Sequence, residues 1–540
     1  MVYCEPARSV ESRGERCVYH NRHIQRDPSV LTDLGAKCDL SRPACRQCCR
    51  AGSKCDGYRG EEYVIFRDQT AETLGKVSVF STAKLPNGNQ DVLVRPKLSQ
   101  QAKVHHSQDT SSHYPWFRLE VTPEDQVLPF FFHHYVLPES GRSPTHPDCH
   151  GIIYKRATEP GYLANLINAV GLAGLAYLRN APTLINLARQ SFSHALRDIC
   201  AALMDPSEAS SDQMLVAVML LALYETVAFN SDGGLSPWSR HVDGAMALLQ
   251  LRGAGQLRNR IGRSIFHSLR SEILINCLQR RLPVPKVLID FMAEARSNET
   301  EQEAPAARLA GIVVSVCNSS SAAEEDITDE GTLSSHVSRL LSIDADLKDW
   351  AQTLPIEYGY KTRTKPSDLD EVEVFIGRYD IYSSVEIANM WNLQRCARII
   401  VRQALVETLS KYFPIPFSLS FSASYRDLLQ TSTIVIKETS SDICCSISYI
   451  LHEFDEAGKS SDLRAAHAVH LLWPLHIAGT THNATEALRD RIISTMEDIK
   501  DAAGIQEAKR IALDLQQRGS ELRCQHNTTN QTDHDIWNQS

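Results

Sequence analysis

The stretch MLVAVMLLALY at residues 214–224 contains no charged residue and would present apolar side chains on every side of a helix. A helix that is apolar all round is buried in a protein core or in a membrane. Spanning a membrane takes about 20 apolar residues, and this run is much shorter. The stretch therefore predicts a buried helix at the centre of a helical bundle, and no membrane segment.

Helical patterns continue on both sides of this run. In residues 183–204 one apolar face recurs every three or four positions, which is typical of an amphipathic helix. Its members are Leu184, Ala188, Phe192, Ala195, Ile199 and Leu203. In residues 236–253 Ser236 is a suitable cap, Pro237 suits the first helical position and Gly253 suits the end. The face predicted for this second helix consists of Trp238, Val242, Ala245 and Leu249.

Composition describes an ordinary globular protein. Of 540 residues, 43% are hydrophobic and 22% charged, and the net charge is −9. A negative chain has no general attraction to nucleic acid, so any such contact requires a local basic patch. The opening MVYCEPARSV lacks the apolar core of a secretory signal, and we therefore expect a location inside the cell, without disulfides.

Cysteines are concentrated near the start of the chain, where Cys38-x6-Cys45-x2-Cys48-x6-Cys55 forms a regular pattern. Zinc prefers four tetrahedral thiolate or imidazole ligands, and a two-residue gap lets a turn direct two sulfurs at one ion. Zinc binding supplies about 10–16 kcal/mol to such peptides, enough to fold a segment without a core. The pattern predicts a zinc site in which these four cysteines are the ligands.

The segment KCDLSRPACRQCCRAGSKCDGYRG at residues 37–60 resembles the second part of a fungal binuclear zinc cluster of the Zn(2)-C6 type. That family uses six cysteines in two halves joined by a loop that carries a proline. Cys45, Cys48 and Cys55 match the second half, Cys38 matches the end of the first half, and Pro43 matches the loop proline. The resemblance implies a nuclear transcription regulator of RNA polymerase II genes that binds double-stranded DNA.

The first half of the cluster departs from the family. The positions where its first two cysteines should fall hold Pro28 and Leu31. In the family, the short helix between the second and third cysteines reads the major groove, and the matching residues 32–37 contain a single basic residue, Lys37. The first half is thus either degenerate or covered by a splice error across residues 5–36. We expect weakened DNA specificity.

A modest basic patch remains in this segment. Residues 37–59 hold six Lys and Arg residues against Asp39 and Asp56, which leaves a net charge of +4. Such a patch suits phosphate contact, which positions a protein on DNA without specifying sequence. The residues predicted to contact DNA are Lys37, Arg42, Arg46, Arg50 and Lys54.

The long region that follows is similar to the fungal-specific regulatory domain found behind such clusters. The resemblance rests on stretches such as EDQVLPFFFHHYV at 124–136, PWSRHVDGAMALLQLRG at 237–253 and SLRSEILINCLQRR at 268–281, and it extends through 350–360, 390–401 and 471–479. It implies a scaffold that contacts other regulators or responds to a small-molecule effector. Trp391, Arg395 and Arg398 fall at helical spacing in the 390–401 stretch and are interpreted as core and surface ion-pair residues.

No catalytic motif occurs in the sequence: it lacks a nucleophile elbow, a phosphate-binding glycine loop and a His-Glu-x-x-His helix. We therefore predict no catalytic residues and no enzyme. Two alternatives stay open, a helical interaction protein without specific DNA binding and a ligand sensor or enzyme built from the helical region. A deep pocket lined by convergent polar groups would favour the ligand-binding alternative.

The predicted fold is mainly α, with a small zinc-stabilised N-terminal module followed by a large all-helical regulatory domain. By composition, residues 1–60 form the module, 61–116 a mostly disordered linker, 117–520 the helical domain and 521–540 a disordered tail. Within the helical domain, polar and acidic residues at 296–335 predict a loose loop, and 487–515 predict a helix.

Overall fold

A computed structural model describes residues 122–136, 149–228, 237–321, 329–364, 378–413, 423–452 and 465–537. All of them lie in one unit of the chain, Pro115–Ser540. Outside the described residues lie the predicted linker 61–116 and the predicted N-terminal module 1–60. The module includes the candidate zinc ligands Cys38, Cys45, Cys48 and Cys55 and the basic residues Lys37, Arg42, Arg46, Arg50 and Lys54.

Helices make up nearly all of the described structure, which confirms the prediction of a mainly α fold. The first half contains α1 Pro123–Tyr135, α2 Cys149–Arg156, α3 Tyr162–Leu178, α4 Pro182–Ala202, α5 Pro206–Ala209, α6 Asp212–Ala228, α7 Pro237–Arg252, α8 Arg260–Arg280 and α9 Lys286–Ala295. The second half contains α10 Ala304–Ser321, α11 Glu330–Gln352, α12 Val385–Tyr412, α13 Ala423–Cys445, α14 Ile447–His452, α15 Ala465–Thr480, α16 Glu486–Ala503 and α17 Gln506–Trp537. Short 3₁₀ turns occur at Ala254–Arg258, Arg296–Asn298 and Ile356–Tyr358.

One two-stranded antiparallel ribbon interrupts the helices within the described residues. Strand β1, Tyr360–Thr364, pairs with β2, Arg378–Tyr382, so that Tyr360 lies opposite Tyr382 and Thr364 opposite Arg378. The sequence analysis did not predict it. The ribbon lies between α11 and α12 in the chain and packs on α13 and α14, so it serves as a side wall of the helical domain.

The central helix is α6, and its burial confirms the prediction from residues 214–224. Met214, Leu215, Val216, Ala217 and Leu221 are all buried. The helix packs against α3 on one side and α7 on another, with further contacts to α8 and α17. Neighbours on several sides explain why the sequence of α6 has no polar face.

The two amphipathic helices next to α6 also lie where the sequence predicts them. In α4, Leu184, Ala188, Ala195 and Ile199 are buried, and the Phe192 ring stacks on Tyr224 of α6 with centroids 4.0 Å apart. Helix α7 starts at Pro237 and ends at Arg252, where Gly253 adopts a φ of 69°. That left-handed backbone conformation is readily adopted by glycine, which explains the helix end.

The loop predicted at residues 296–335 is wrong for most of its length. Within that range the structure has the turn Arg296–Asn298, all of α10 and the beginning of α11. The acidic and Ser-rich flanks masked a buried apolar face in α10, formed by Leu309, Val313, Val316 and Cys317. Helical spacing of those four residues outweighs the polar composition around them.

The helical pattern predicted at 487–515 is confirmed. It comprises two helices that pack on each other, α16 and the beginning of α17, because Gly504 ends α16 with a φ of 69°. Helix α17 then extends to Trp537, where the sequence predicts a disordered tail for 521–540. The buried Ile511 and Leu515 anchor the first part of α17 in the core. Residues 521–537 contain neither proline nor glycine, so they include no strong helix breaker.

Candidate functional site

A cavity of about 1030 Å³ lies between α6, α8, α12, α15 and α17, with Trp238 of α7 and Ser320 of α10 also in its wall. Small-molecule sites in proteins typically measure about 300–1,000 Å³. The cavity is thus large enough for an organic ligand. It lies inside the helical domain, beside the central helix.

Part of the cavity wall is apolar. The apolar side chains come from α8, α12 and α15 and include Leu278, Leu393, Ile400 and Ile477. These residues face the cavity because their helices converge on it from three sides. An occupant would gain free energy by covering this surface, at about 25 cal/mol per Å² of apolar area removed from water.

One end of the cavity is acidic. Glu225 of α6 and Glu272 of α8 both line it, and Trp238 of α7 lies in the wall with them. The indole N–H of Trp238 donates a hydrogen bond to the Glu272 carboxylate. Burial nevertheless raises the pKa of Glu272 to about 7, and the Trp238 hydrogen bond only partly opposes it. No Lys or Arg among the described residues forms an ion pair with Glu225 or Glu272; Glu225 lies 3.7 Å from the Nε2 atom of His241.

Replacing Glu272 with glutamine should stabilise the folded chain at about pH 8 and have little effect near pH 5. The pKa of Glu272 is raised above its ordinary value of 4.5 to about 7, so between those two values the folded state holds a proton that the unfolded state releases. Stability therefore falls as pH rises through this window, and glutamine removes that penalty. Because Glu272 is half-buried, we expect about 1–2 kcal/mol rather than the full shift.

Thermal unfolding of the full chain at both pH values measures this effect. Glu497→Gln on α16 is a matched control, because Glu497 is exposed and lies outside the cavity. An equal change in melting temperature for both variants, or no pH dependence in the difference between Glu272→Gln and the parent chain, would contradict the prediction.

The lining also contains cations, and its arginines are charge-compensated. Arg510 lies 2.6 Å from Glu507, Arg281 lies 2.8 Å from Glu407, and Arg518 lies 3.1 Å from Asp514. The remaining cation of the lining, Lys411, is exposed. Among the described residues, Glu225 and Glu272 are thus carboxylates of the lining without a Lys or Arg partner.

His476 of α15 lies next to one of these ion pairs, Arg518–Asp514. Its Nε2 atom lies 3.5 Å from a carboxylate oxygen of Asp514. Burial, and after it the positive charge of Arg510, lower the pKa of His476 to about 4. The nearby Asp514 carboxylate opposes both effects without cancelling them. His476 is therefore neutral at physiological pH and adds no positive charge to the cavity.

Three residues of the wall contain polar atoms with unsatisfied hydrogen-bonding capacity. Ser320 Oγ, Asn389 Oδ1 and Trp473 Nε1 are buried and have no hydrogen-bond partner among the described residues. An unsatisfied buried polar atom costs about 1–3 kcal/mol.

Arg395 and Arg398 both form ion pairs, as interpreted from the sequence, but Arg395 does so in the interior and not on the surface. Arg395 is buried, and its Nη2 atom donates to Asp380 of β2 at 3.0 Å. Arg398 donates to the buried Asp344 of α11 at 3.0 Å. Helical spacing within α12 does not reveal either partner, because both acids come from other elements.

The sequence analysis missed the cavity residues. No motif marks Glu225 or Glu272, and their helices are separated in the chain by α7. The available signal is that Glu272 has apolar neighbours three positions away on either side, Leu269 and Ile275, which is unusual for an exposed glutamate. Trp238 was assigned to the core, and it is half-buried in the cavity wall.

Among the described residues, no group of three or more His, Cys, Asp or Glu side chains is placed to hold a metal ion. No described helix combines the length and apolar character needed to cross a membrane.

Residues 130–279 match the family model described as the fungal specific transcription factor domain. The matched segment begins in α1, includes the central helix α6 and ends in α8, so it contains the acidic end of the cavity. No curated protein and no solved structure matches the chain. The family match indicates a transcription regulator rather than an enzyme, and it supports the assignment of residues 130–279 to a fungal-type regulatory domain.

Proposed function

We propose that this chain is a nuclear regulator of RNA polymerase II transcription that contacts double-stranded DNA through a zinc-dependent N-terminal module. The match of residues 130–279 to the fungal specific transcription factor domain carries the proposal. The Cys38-x6-Cys45-x2-Cys48-x6-Cys55 pattern supports it independently, because its spacing suits zinc and it precedes the regulatory domain in the chain.

In this proposal Cys38, Cys45, Cys48 and Cys55 hold zinc, and Lys37, Arg42, Arg46, Arg50 and Lys54 contact phosphate. A single basic residue in the segment 32–37 leaves few groups for reading bases. DNA contact is therefore weak, dependent on salt and low in sequence preference. The helical domain contacts other transcription regulators.

A second function is favoured by the cavity. The helical domain contains a cavity of about 1030 Å³ with polar and apolar walls, a volume typical of small-molecule sites. We therefore include response to a small-molecule effector in the proposed function. The effector would change the regulator's activity by binding one conformation of the helical domain more tightly than another.

Zinc content and DNA binding of the purified full chain test the proposal. We expect about one zinc ion per chain, because one half of the cluster keeps its ligands. Cys48→Ser should remove most of that zinc and most of the DNA binding. Cys49→Ser is the matched control, since Cys49 neighbours Cys48 but lies outside the regular spacing, and it should leave both measurements unchanged.

Gel-shift titrations at two salt concentrations, with duplexes of random sequence, complete the test. We expect weak binding that falls steeply with salt and discriminates little between sequences, because each missing bidentate base contact costs about 1–3 kcal/mol of discrimination. Equal loss of zinc in Cys48→Ser and Cys49→Ser would contradict the ligand assignment. A strong preference for paired CGG-type triplets at near-physiological salt would contradict the weakened specificity.

A further inference from the structure

The charges around the cavity are distributed unevenly. At the end formed by α6, α7 and α8, the lining contains Glu225 and Glu272, which have no Lys or Arg partner among the described residues. Elsewhere in the lining each arginine has a carboxylate within ion-pair distance. A ligand that enters the cavity therefore meets two carboxylates without a Lys or Arg partner, of which Glu225 lies 3.7 Å from the His241 imidazole, and arginines that are already paired.

Apolar surface lies in the same cavity as those carboxylates. Leu278 lies on the same helix as Glu272, and Leu393, Ile400 and Ile477 line the walls contributed by α12 and α15. Such a combination suits a molecule with one charged end and an apolar body, because each part meets a complementary wall.

We propose that the cavity binds an amphipathic organic cation, whose protonated amine lies at the end lined by Glu225 and Glu272 and whose apolar body lies against α12 and α15. The indole of Trp238 lies in the wall beside the two glutamates, where the protonated amine would be. Aromatic rings attract ammonium groups, and carboxylates hydrogen-bond them strongly when water is excluded. An organic anion is disfavoured, because the arginines it would need already pair with Glu407, Glu507 and Asp514, and because Lys411, the other cation of the lining, is exposed to solvent.

The regulatory meaning of this site rests on the proposed function, but binding itself does not. If DNA binding fails in the gel-shift test while the amine still binds, only the transcriptional role is lost. If DNA binding holds while the amine does not bind, only the ligand assignment is lost.

Dansylcadaverine is a suitable probe, since it joins a primary amine to an apolar fluorescent body. Two analogues with a similar body serve for comparison: the N-acetylated amine, which is neutral, and dansyl-6-aminohexanoic acid, which ends in a carboxylate. The full chain is titrated into each probe at pH 8, where Glu272 is mostly ionised because its raised pKa is about 7, and where the amine is still protonated. Fluorescence enhancement gives the affinity. We expect the amine to bind at least about tenfold more tightly than either analogue, as one charge-assisted hydrogen bond provides.

Substitutions in the wall connect binding to the cavity. Glu225→Gln and Glu272→Gln should each remove most of the preference for the amine while keeping the apolar contacts. Ala404→Phe places a ring into the space from α12 and should weaken all three probes. Glu497→Gln, at an exposed site on α16, should bind as the parent chain does.

Several outcomes would overturn the proposal. They are equal affinity for the three probes, tighter binding of the carboxylate, no binding of any probe, and an amine preference that survives both glutamate substitutions. Glutamine has nearly the size of glutamate, so the two glutamate variants are expected to fold. Circular dichroism checks this, and if Ala404→Phe fails to fold, the glutamate variants still decide.

Discussion

Replacing Asp344 with alanine is expected to lower the free energy of unfolding by about 3–5 kcal/mol. Asp344 lies on α11 and is 2% exposed. It accepts hydrogen bonds from Arg398 and Arg402 of α12, and Lys348 Nζ lies 3.4 Å away. Arg402 is itself buried. Loss of the carboxylate would leave a buried guanidinium without its counter-charge, which is the costly way to break an ion pair.

The pKa of Asp344 supports this expectation. Burial by itself would raise that pKa, but the hydrogen bonds and charges of Arg402 and Arg398 outweigh burial and bring it below the ordinary value of 3.8. A lowered pKa in the folded state means that Asp344 stabilises the fold above about pH 4. That contribution is lost as pH falls through the depressed folded-state pKa, so the variant and the parent chain should converge in acid.

Chemical denaturation followed by circular dichroism measures the change. Asp346→Ala is the matched control, because it removes the same group from an exposed position on the same helix. It should change the free energy of unfolding by less than about 0.5 kcal/mol. Similar losses for Asp344→Ala and Asp346→Ala would show that the ion-pair cluster does not hold α11 to α12.

The second large effect is expected at Asp380 of β2, where alanine should also cost about 3–5 kcal/mol. Its carboxylate accepts hydrogen bonds from Arg395 Nη2 at 3.0 Å, from Thr362 Oγ1 at 2.8 Å and from Tyr382 Oη at 3.2 Å. Arg395 also lies with its guanidinium carbon 5.1 Å from the centroid of the Tyr360 ring. The acid therefore links both strands of the ribbon to α12.

A neighbouring acid sets the size of this effect. Asp442 of α13 is close enough to Arg395 to interact with its charge, and burial raises the pKa of Asp442. After loss of Asp380, Asp442 would supply part of the missing negative charge. The cost should therefore fall at the lower end of the range.

A double-mutant cycle measures the interaction energy between Asp380 and Arg395 separately from the effect of each single substitution. Asp380→Ala leaves Arg395 buried without its closest counter-charge, whereas the double variant Asp380→Ala, Arg395→Met removes both charges of the pair. The double variant should be less destabilised than the sum of the two single variants by at least about 1 kcal/mol. Additive losses would contradict the assignment of a coupled buried pair.

Local patterns in the sequence were sufficient for the helices that pack around the centre of the domain. Helix α6 is predicted by an unbroken apolar run, and α4 is predicted by its apolar face. Helix α7 is predicted by its apolar face together with a proline at its start and a glycine after its end. These signals depend only on residues three or four positions apart, so a single segment contains them. The same reasoning failed where polar composition obscured the pattern, as in α10.

Contacts between distant segments could not be predicted in this way. The partners of Arg395 and Arg398 come from β2 and α11, and the acids of the cavity come from α6 and α8. No spacing rule connects such residues, since their approach depends on how whole helices pack. The two-stranded ribbon was not predicted for the same reason. It is held in place by the ion pair between Asp380 of β2 and Arg395 of α12, and no pattern within the two strands reveals that contact.

The sequence by itself determined the mainly α class, the buried position of α6 and the likeness to a fungal regulatory domain. Helical periodicity and a family pattern both occur within continuous segments of the chain, so they can be recognised without knowing how the segments pack. The sequence also determined the zinc and DNA predictions for residues 37–60, which lie outside the described structure. Only the tertiary structure decided that Glu225, Trp238 and Glu272 share one cavity and that Arg395 and Arg402 are buried with their acids. The physical reason is that charge pairing and enclosed space arise between helices, after each helix has already formed.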